Sequence, residues 1–142
     1  MTKYLSPSPG RNLHEISTLG LAHVGDAVFE LMARTWLCCG GASTAKRLHQ
    51  GAVGLVSAKA QAKSARLLMP ELSEEERSVL KRGRNAYVNS VPKAAGVEDY
   101  HYATGLEALF GYLYLRGRTE RIEELFARIV GGGDDAQDIE RG

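Results

Sequence analysis

Apolar residues recur at helical spacing along almost the whole chain, and this spacing constrains the fold more than any other feature. No segment alternates apolar and polar residues as a half-buried strand does, and no repeat or linker divides the sequence. A chain of 142 residues, of which 44% are hydrophobic, is long enough for one domain with its own core. The sequence therefore predicts an all-α fold, an orthogonal or bundle-like helical domain.

Residues that end or cap helices divide this pattern into five predicted helices. A glycine pair ends the first helix and a proline ends the second. Ser73 and Glu76 have the spacing of a capping box, which predicts a helix start at Glu74. Residues 89–97 contain a proline and a glycine and are predicted to form a loop. The predicted helices cover residues 13–37, 44–68, 74–82 or beyond, 103–115 and 120–130.

The two ends of the chain lack this pattern. Residues 1–12 are expected to form a flexible N-terminus, residues 13–130 the folded domain, and residues 131–142 a disordered tail with nothing to bury. The first residues carry no apolar leader, and no apolar run has the length of a membrane span, so no membrane partner is expected. Cys38 and Cys39 are adjacent and have no third cysteine to complete a metal set, which favours a reducing, cytoplasmic compartment.

The positive charge is concentrated in the middle of the chain. Net charge is only +1, but residues 43–93 hold ten Lys and Arg against four Glu. From Arg116 onward, five Arg face seven acids. A basic middle on a nearly neutral protein suggests a localised anionic partner, and a solvated face without a partner is the alternative.

A polar strip on the first helix contains a candidate functional acid. On a helical wheel of residues 21–37, apolar side chains occupy most of the circumference, and the strip consists of His23, Asp26, Glu30 and Arg34. Such a helix is expected to be enclosed on several sides. Asp is a poor residue for a helix interior and is rarely buried without a partner. The alternative is a solvent-facing strip in which the charges are paired at i, i+4 spacing.

Glu107 is the second candidate acid. It shares a helix face with Ala103, Thr104, Gly111 and Tyr114, so another helix can approach closely and surround Glu107 with protein. A desolvated carboxylate costs several kcal/mol unless a positive or hydrogen-bonding group compensates it. Two such acids on different helices could share Mg²⁺, which takes one or two carboxylates and keeps several waters. An ion pair to an Arg is the alternative, and no His or Cys spacing supports zinc.

Five segments carry a specific resemblance to a known family. They are LAHVGDAVFE (21–30), VSAKAQA (56–62), KRGRNA (81–86), PKAAGVEDYHY (92–102) and ATGLEALFGYLYL (103–115). The first and last resemble the two catalytic helices of the ribonuclease III family, and the other three narrow the resemblance to its Mini-ribonuclease III branch. The resemblance covers roughly residues 13–126.

This resemblance implies a ribonuclease III-type helical endonuclease domain that acts as a homodimer and hydrolyses double-stranded RNA with Mg²⁺, leaving 5′-phosphate and 3′-hydroxyl ends. The Mini branch implies maturation of precursor 23S ribosomal RNA in a bacterial cytoplasm, without a separate double-stranded-RNA-binding domain. A ribosomal protein is a further candidate partner. By position, Asp26 is the catalytic Asp and Glu107 the catalytic Glu, both as metal ligands, and Glu30 is a candidate for an outer-shell role.

The chain departs from the longer ribonuclease III enzymes at three positions. Two of their acids fall on Ala22 and Thr104, as the Mini branch leads one to expect, and this leaves fewer ligands and puts a tightly held second ion in doubt. His23 stands where an aromatic Tyr is expected and is a candidate contact with the dimer partner.

Two groups of mostly basic residues are the candidate RNA-binding surface. The first group shares one helical face, and the second is expected to be a flexible segment in which a glycine lets the backbone approach a phosphate. The groups are Lys59, Lys63 and Arg66, and Lys81, Arg82, Arg84 and Asn85. A-form RNA is held mainly through phosphates and 2′-hydroxyls, so this surface should favour shape over sequence and bind more weakly as salt rises.

Two other functions remain as alternatives. One is a non-catalytic double-stranded-RNA-binding or ribosome-assembly factor on the same fold. The other is a helical protein–protein scaffold that uses the segment LYLRGRTERIEELF (113–126). The intact pair of Asp26 and Glu107 favours the nuclease.

Overall fold

The computed structural model describes residues 4–5, 13–86 and 96–131, and these ranges contain helices and no strand. The helices are α1 (Thr18–Cys39), α2 (Ala45–Val56), α3 (Ala58–Leu68), α4 (Glu74–Asn85), α5 (Val97–Leu115) and α6 (Thr119–Gly131). Single turns of 3₁₀ helix at Leu13–Glu15 and Met69–Glu71 precede α1 and α4. The predicted all-α fold is confirmed.

Some predictions fall on residues that the structure does not describe. The predicted flexible N-terminus, apart from residues 4 and 5, lies outside the described residues, and so does the predicted disordered tail from residue 132 onward. The predicted loop over residues 89–97 also lies outside them up to residue 95.

The predicted single helix over residues 44–68 is wrong, because Ser57 divides it. The backbone of Ser57 is extended, with φ −62° and ψ 155°, and its hydroxyl accepts a hydrogen bond from the backbone N–H of Ala60. Its own N–H donates to the carbonyl of Val53 and closes α2. A serine that bonds locally in this way ends one helix and caps the next, which apolar spacing alone does not reveal.

Local capping sets the other boundaries. The predicted capping box is confirmed, since the Ser73 hydroxyl accepts from the N–H of Glu76 at 3.1 Å and the Glu76 carboxylate accepts from the N–H of Ser73 at 2.9 Å. Helix α5 starts earlier than the predicted residue 103, directly after Gly96, whose φ of +114° suits glycine. Gly117, with φ +74°, makes the predicted break between α5 and α6.

Helix α5 runs through the centre of the domain and packs against α1, α3 and α4. Every residue from Ala103 to Leu113 is buried except Glu107, which is half-buried. The ring of Phe29 in α1 packs edge to face against two other rings. The distance between ring centres is 5.3 Å to Phe110 and 5.7 Å to Phe126 of α6. Glu107 is therefore the one break in an otherwise buried stretch of the central helix.

Glycines let two helices reach the backbone of α5. A β-carbon at Gly25 of α1 would overlap the carbonyl oxygen of Glu107 and lie 2.7 Å from the nitrogen of Gly111. A β-carbon at Gly111 would in turn overlap the carbonyl oxygen of Leu21. On another face of α5, a β-carbon at Gly105 would lie 2.6 Å from the carbonyl oxygen of Leu80 in α4. The α1–α5 crossing is thus a contact of backbone against backbone.

We expect Gly25→Ala to lower the free energy of unfolding by about 3 kcal/mol or more, because an added methyl meets backbone that cannot rotate away. Urea unfolding followed by circular dichroism measures the change. Gly54→Ala on α2 is the matched control: its β-carbon would have no heavy atom within 4 Å. That variant should gain roughly 0.5–1 kcal/mol from helix propensity. Equal stability of the two variants would contradict the close crossing.

Candidate active site

The Gly25–Gly111 crossing brings Asp26 of α1 and Glu107 of α5 together. Asp26 follows Gly25 directly, and the Glu107 carbonyl lies against Gly25. The two carboxyl groups are within hydrogen-bonding distance of each other. Asp26 is exposed and Glu107 is half-buried, so the pair lies at the α1–α5 crossing where it is open to solvent. Two acids that are far apart in the sequence therefore meet in one site.

The surroundings of Glu107 make its ionised form unfavourable. Burial, followed by the hydrogen bond and the negative charge of Asp26, raises the pKa of Glu107 to about 8. Near neutral pH the pair therefore shares a proton, which Glu107 donates to Asp26 as a hydrogen bond. A cation between the two groups would replace that proton.

No third metal-ligating side chain joins the pair within residues 4–5, 13–86 and 96–131. Among the residues that the structure describes, no group of three or more His, Cys, Asp and Glu side chains could hold a metal ion. The two positions that carry acids in the longer enzymes are closed: Ala22 is buried, and Thr104 is buried with its hydroxyl donating to the Tyr100 carbonyl at 3.0 Å. Any cation here would therefore rely on two carboxylates and on water.

Gln61 of α3 is a site residue that the sequence reasoning missed. Its side chain is 2% exposed and lies beside Glu107, where it lowers the pKa of that acid against the effects of burial and Asp26. Its Nε2 is buried and has no hydrogen-bond acceptor among the described residues. A lone Gln on an Ala-rich helix face was the available signal, because small neighbours let α3 close on α5 and enclose it.

The rest of the polar strip on α1 is exposed to solvent or paired within the helix. His23 and Arg34 are exposed, and Glu30 pairs with Arg34 at 2.9 Å, which is the i, i+4 pairing weighed as an alternative. The expected enclosure of α1 on several sides is wrong for the single chain, since Leu19 and Leu31 are 45% and 60% exposed. Among the described residues, no Arg pairs with Glu107, and its acidic neighbour there is Asp26.

The basic residues divide into exposed and engaged side chains. Lys59 and Lys63 on α3 and Lys81 and Arg82 on α4 are exposed. Arg66 pairs with Asp99 at 3.2 Å and lies 4.6 Å from the centre of the Tyr102 ring.

Arg84 approaches the same tyrosine. Its Nη1 donates to the Tyr102 hydroxyl at 3.3 Å, and its Nε donates to the side-chain oxygen of Asn85, which is itself exposed. Arg66 and Arg84 thus hold Tyr102 from two helices.

The expected flexible segment at residues 81–85 is wrong. These residues form the last part of α4, and Gly83 is buried where a β-carbon would lie 2.8 Å from the Cα of Gly105 in α5. The glycine therefore serves helix packing, and the cations beside it project from a rigid helix end.

The carboxylate pair at the helix crossing and the exposed lysines on the neighbouring helices fit a helical nuclease domain. Comparison with known families agrees: the Ribonuclease III domain model matches residues 19–118. The chain belongs to the ribonuclease III family, within its Mini-ribonuclease 3 branch, and is an endoribonuclease.

Several relatives are similar over most of their length. The Mini-ribonuclease 3 of Thermoanaerobacter sp. is 46% identical over 110 residues, which cover 78% of this chain and 78% of the relative. That of Brevibacillus brevis is 50% identical over 107 residues, covering 75% and 80%. A crystal structure of a Fusobacterium nucleatum protein superposes with a TM-score of 0.78 at 29% identity, covering 86% of this chain and 99% of that one. No helix in the described part of the chain is long and apolar enough to cross a membrane.

Without divalent cations, the domain should lose stability as pH rises, because the folded pKa of Glu107, about 8, exceeds its ordinary value of 4.5. Its favourable contribution is complete below pH 4.5 and is lost as pH rises through 8. Glu107→Gln removes this loss, so at pH 8.5 the variant should exceed the wild type by on the order of 2 kcal/mol after allowance for solvent screening.

Urea unfolding in chelator at pH 5 and pH 8.5 measures this difference. Glu123→Gln, which changes an exposed carboxylate on α6, is the control and should leave the wild-type pH dependence intact. A Glu107→Gln variant whose advantage is equal at both pH values would contradict the shared proton.

Proposed function

We propose that this chain is a Mg²⁺-dependent endonuclease for double-stranded RNA, with Asp26 and Glu107 as the catalytic, metal-binding carboxylates. The observation that carries the proposal is the meeting of these two acids at the Gly25–Gly111 crossing. Two neighbouring carboxylates, one of them largely desolvated, are stable together only with a proton or a cation between them.

The donor set fits a hard divalent cation. Mg²⁺ prefers oxygen ligands, commonly takes one or two carboxylates, and keeps several of its waters. The pair offers carboxylate oxygens only, and the buried Gln61 amide beside it has an unused donor for a carboxylate that no longer carries a proton. When bound, Mg²⁺ supplies charge stabilisation for the phosphate and an activated water as nucleophile.

The two acids contribute differently. Asp26 is exposed and can face an incoming phosphodiester, whereas Glu107 is half-buried on the central helix α5. Glu107 would give up the shared proton as the cation binds, and both carboxylates would then hold the cation in place. Glu30 is one turn from Asp26, but its ion pair with Arg34 leaves it at most a role through water.

The RNA-binding surface of this proposal comprises α3 and the end of α4. Lys59, Lys63, Lys81 and Arg82 are exposed and able to contact phosphates, which is the main grip on A-form RNA. Arg66, Arg84 and Asn85 complete this surface, with Arg66 and Arg84 fixed against Tyr102. The substrate proposed from the branch is precursor 23S ribosomal RNA in the cytoplasm, with a ribosomal protein as a candidate helper.

A homodimer also belongs to this proposal. Leu19 and Leu31 are large apolar side chains that α1 leaves exposed on the single chain. His23 is exposed on the same helix and is a candidate contact with the partner subunit. Covering such residues is what an interface between two copies would do.

Asp26→Asn should lower Mg²⁺-dependent cleavage of duplex RNA by at least about a hundredfold, because it removes a negative ligand while keeping the shape of the side chain. The assay follows cleavage of an end-labelled duplex at saturating Mg²⁺, with folding checked by circular dichroism. Glu30→Gln is the comparison and should lose far less activity. Full cleavage by Asp26→Asn would contradict the assignment.

Reversing the exposed charges at Lys81 and Arg82 to Glu should raise the Kd for duplex RNA about tenfold and reduce its dependence on salt, because phosphate contacts are lost. Fluorescence anisotropy in Ca²⁺ or chelator, at several salt concentrations, measures both. Lys46→Glu on α2 makes the same kind of change outside the proposed surface and should have little effect. An unchanged Kd in the double variant would confine these residues to a structural role.

A further inference from the structure

The amide of Gln61 is enclosed without using its donor. The side chain is 2% exposed on α3, and its Nε2 lacks a hydrogen-bond partner among the described residues. A buried polar group without a partner is destabilising, because it has lost its hydrogen bonds to water without replacing them. An apolar side chain of similar size would avoid that cost, so packing alone does not account for a glutamine here.

The buried amide of Gln61 lies next to one of the two proposed metal-binding acids. Gln61 sits beside the Glu107 carboxyl group, on the side formed by α3, while Asp26 approaches from α1. Glu107 is therefore held between two side chains from two helices. The Nε2 of Gln61 is a donor, and a carboxylate oxygen of Glu107 is the kind of acceptor that this donor lacks.

We propose that Gln61 is a positioning residue for the metal site: its Nε2 donates to the Glu107 carboxylate and keeps the other carboxylate oxygen directed toward Asp26 and the shared cation. The inference rests on the proposed function and adds a residue that neither touches the substrate nor binds the ion. Groups that hydrogen-bond to metal ligands commonly set ligand orientation, and losing one typically costs 10–100-fold in affinity or activity.

A purely structural role and a positioning role differ in the response to Mg²⁺ that they forecast. If Gln61 only filled space, an apolar isostere would keep or raise stability and leave the response to Mg²⁺ unchanged. If it positions Glu107, the isostere keeps or raises stability without metal, because the unpartnered donor is gone, but weakens the response to Mg²⁺.

The experiment compares wild type with Gln61→Leu and Gln61→Met, two apolar replacements of similar size that guard against one of them failing to fold. Thermal unfolding without RNA, in chelator and across a Mg²⁺ titration, gives the Mg²⁺ concentration for half of the stabilisation. Cleavage of duplex RNA across the same titration gives the concentration for half-maximal rate. Gln50→Leu, at an exposed glutamine of α2, is the matched control.

We expect both Mg²⁺ midpoints to rise roughly 10–100-fold in the Gln61 variants and to stay unchanged in the control. Wild-type midpoints in either folded Gln61 variant would overturn the inference, as would a wild type that Mg²⁺ does not stabilise. The unfolding titration separates this inference from the proposed function. Suppose that Mg²⁺ stabilises the wild type, that the Gln61 variants lose this stabilisation, and that the wild type cuts no RNA. This outcome would uphold the role of Gln61 and refute the nuclease proposal.

Discussion

The contact between the backbones of α1 and α5 is the constraint on which the site depends. Gly25 and Gly111 have no side chains to hold the helices apart, so the carbonyl of Glu107 lies directly against Gly25. Asp26 is next to one of these glycines, and Glu107 lies one turn before the other. A crossing with larger residues would separate the axes, and the two carboxyl groups would no longer reach each other.

This geometry gives the site its electrostatic character. Glu107 is the only residue between Ala103 and Leu113 that does not count as buried, and its surroundings include a second acid and no Arg among the described residues. The protein holds a carboxylate pair whose ionised form is unstable alone. The cost of this arrangement is met by the well-packed remainder of α5, including the Phe29–Phe110 contact.

Helix α3 completes the site through its small residues. Ala62 and Ala65 are fully buried and allow α3 to pack closely on α5, which encloses Gln61 next to Glu107. The same helix presents Lys59 and Lys63 to solvent on its other side. Helix α3 therefore places Gln61 beside Glu107 on its buried face and carries lysines of the proposed RNA surface on its exposed face.

The sequence by itself determined the helical class, the capping box at Ser73 and Glu76, and the candidacy of Asp26 and Glu107. Apolar period, caps and small-residue faces are local properties, so they can be read along one chain. The segments that resemble the family supported the assignment of these two acids as site residues. The spacing of the acids in the sequence could not show that they meet in the fold.

Tertiary structure alone decided the remaining features. It showed that residues 44–68 are divided at Ser57, whose local cap apolar spacing does not reveal. It turned Gly83 from an expected phosphate contact into a packing contact with Gly105. It also placed Gln61 beside Glu107. The Gly83 and Gln61 contacts join residues that are distant in the chain, and such contacts are set by how the helices pack, not by the pattern within any one of them.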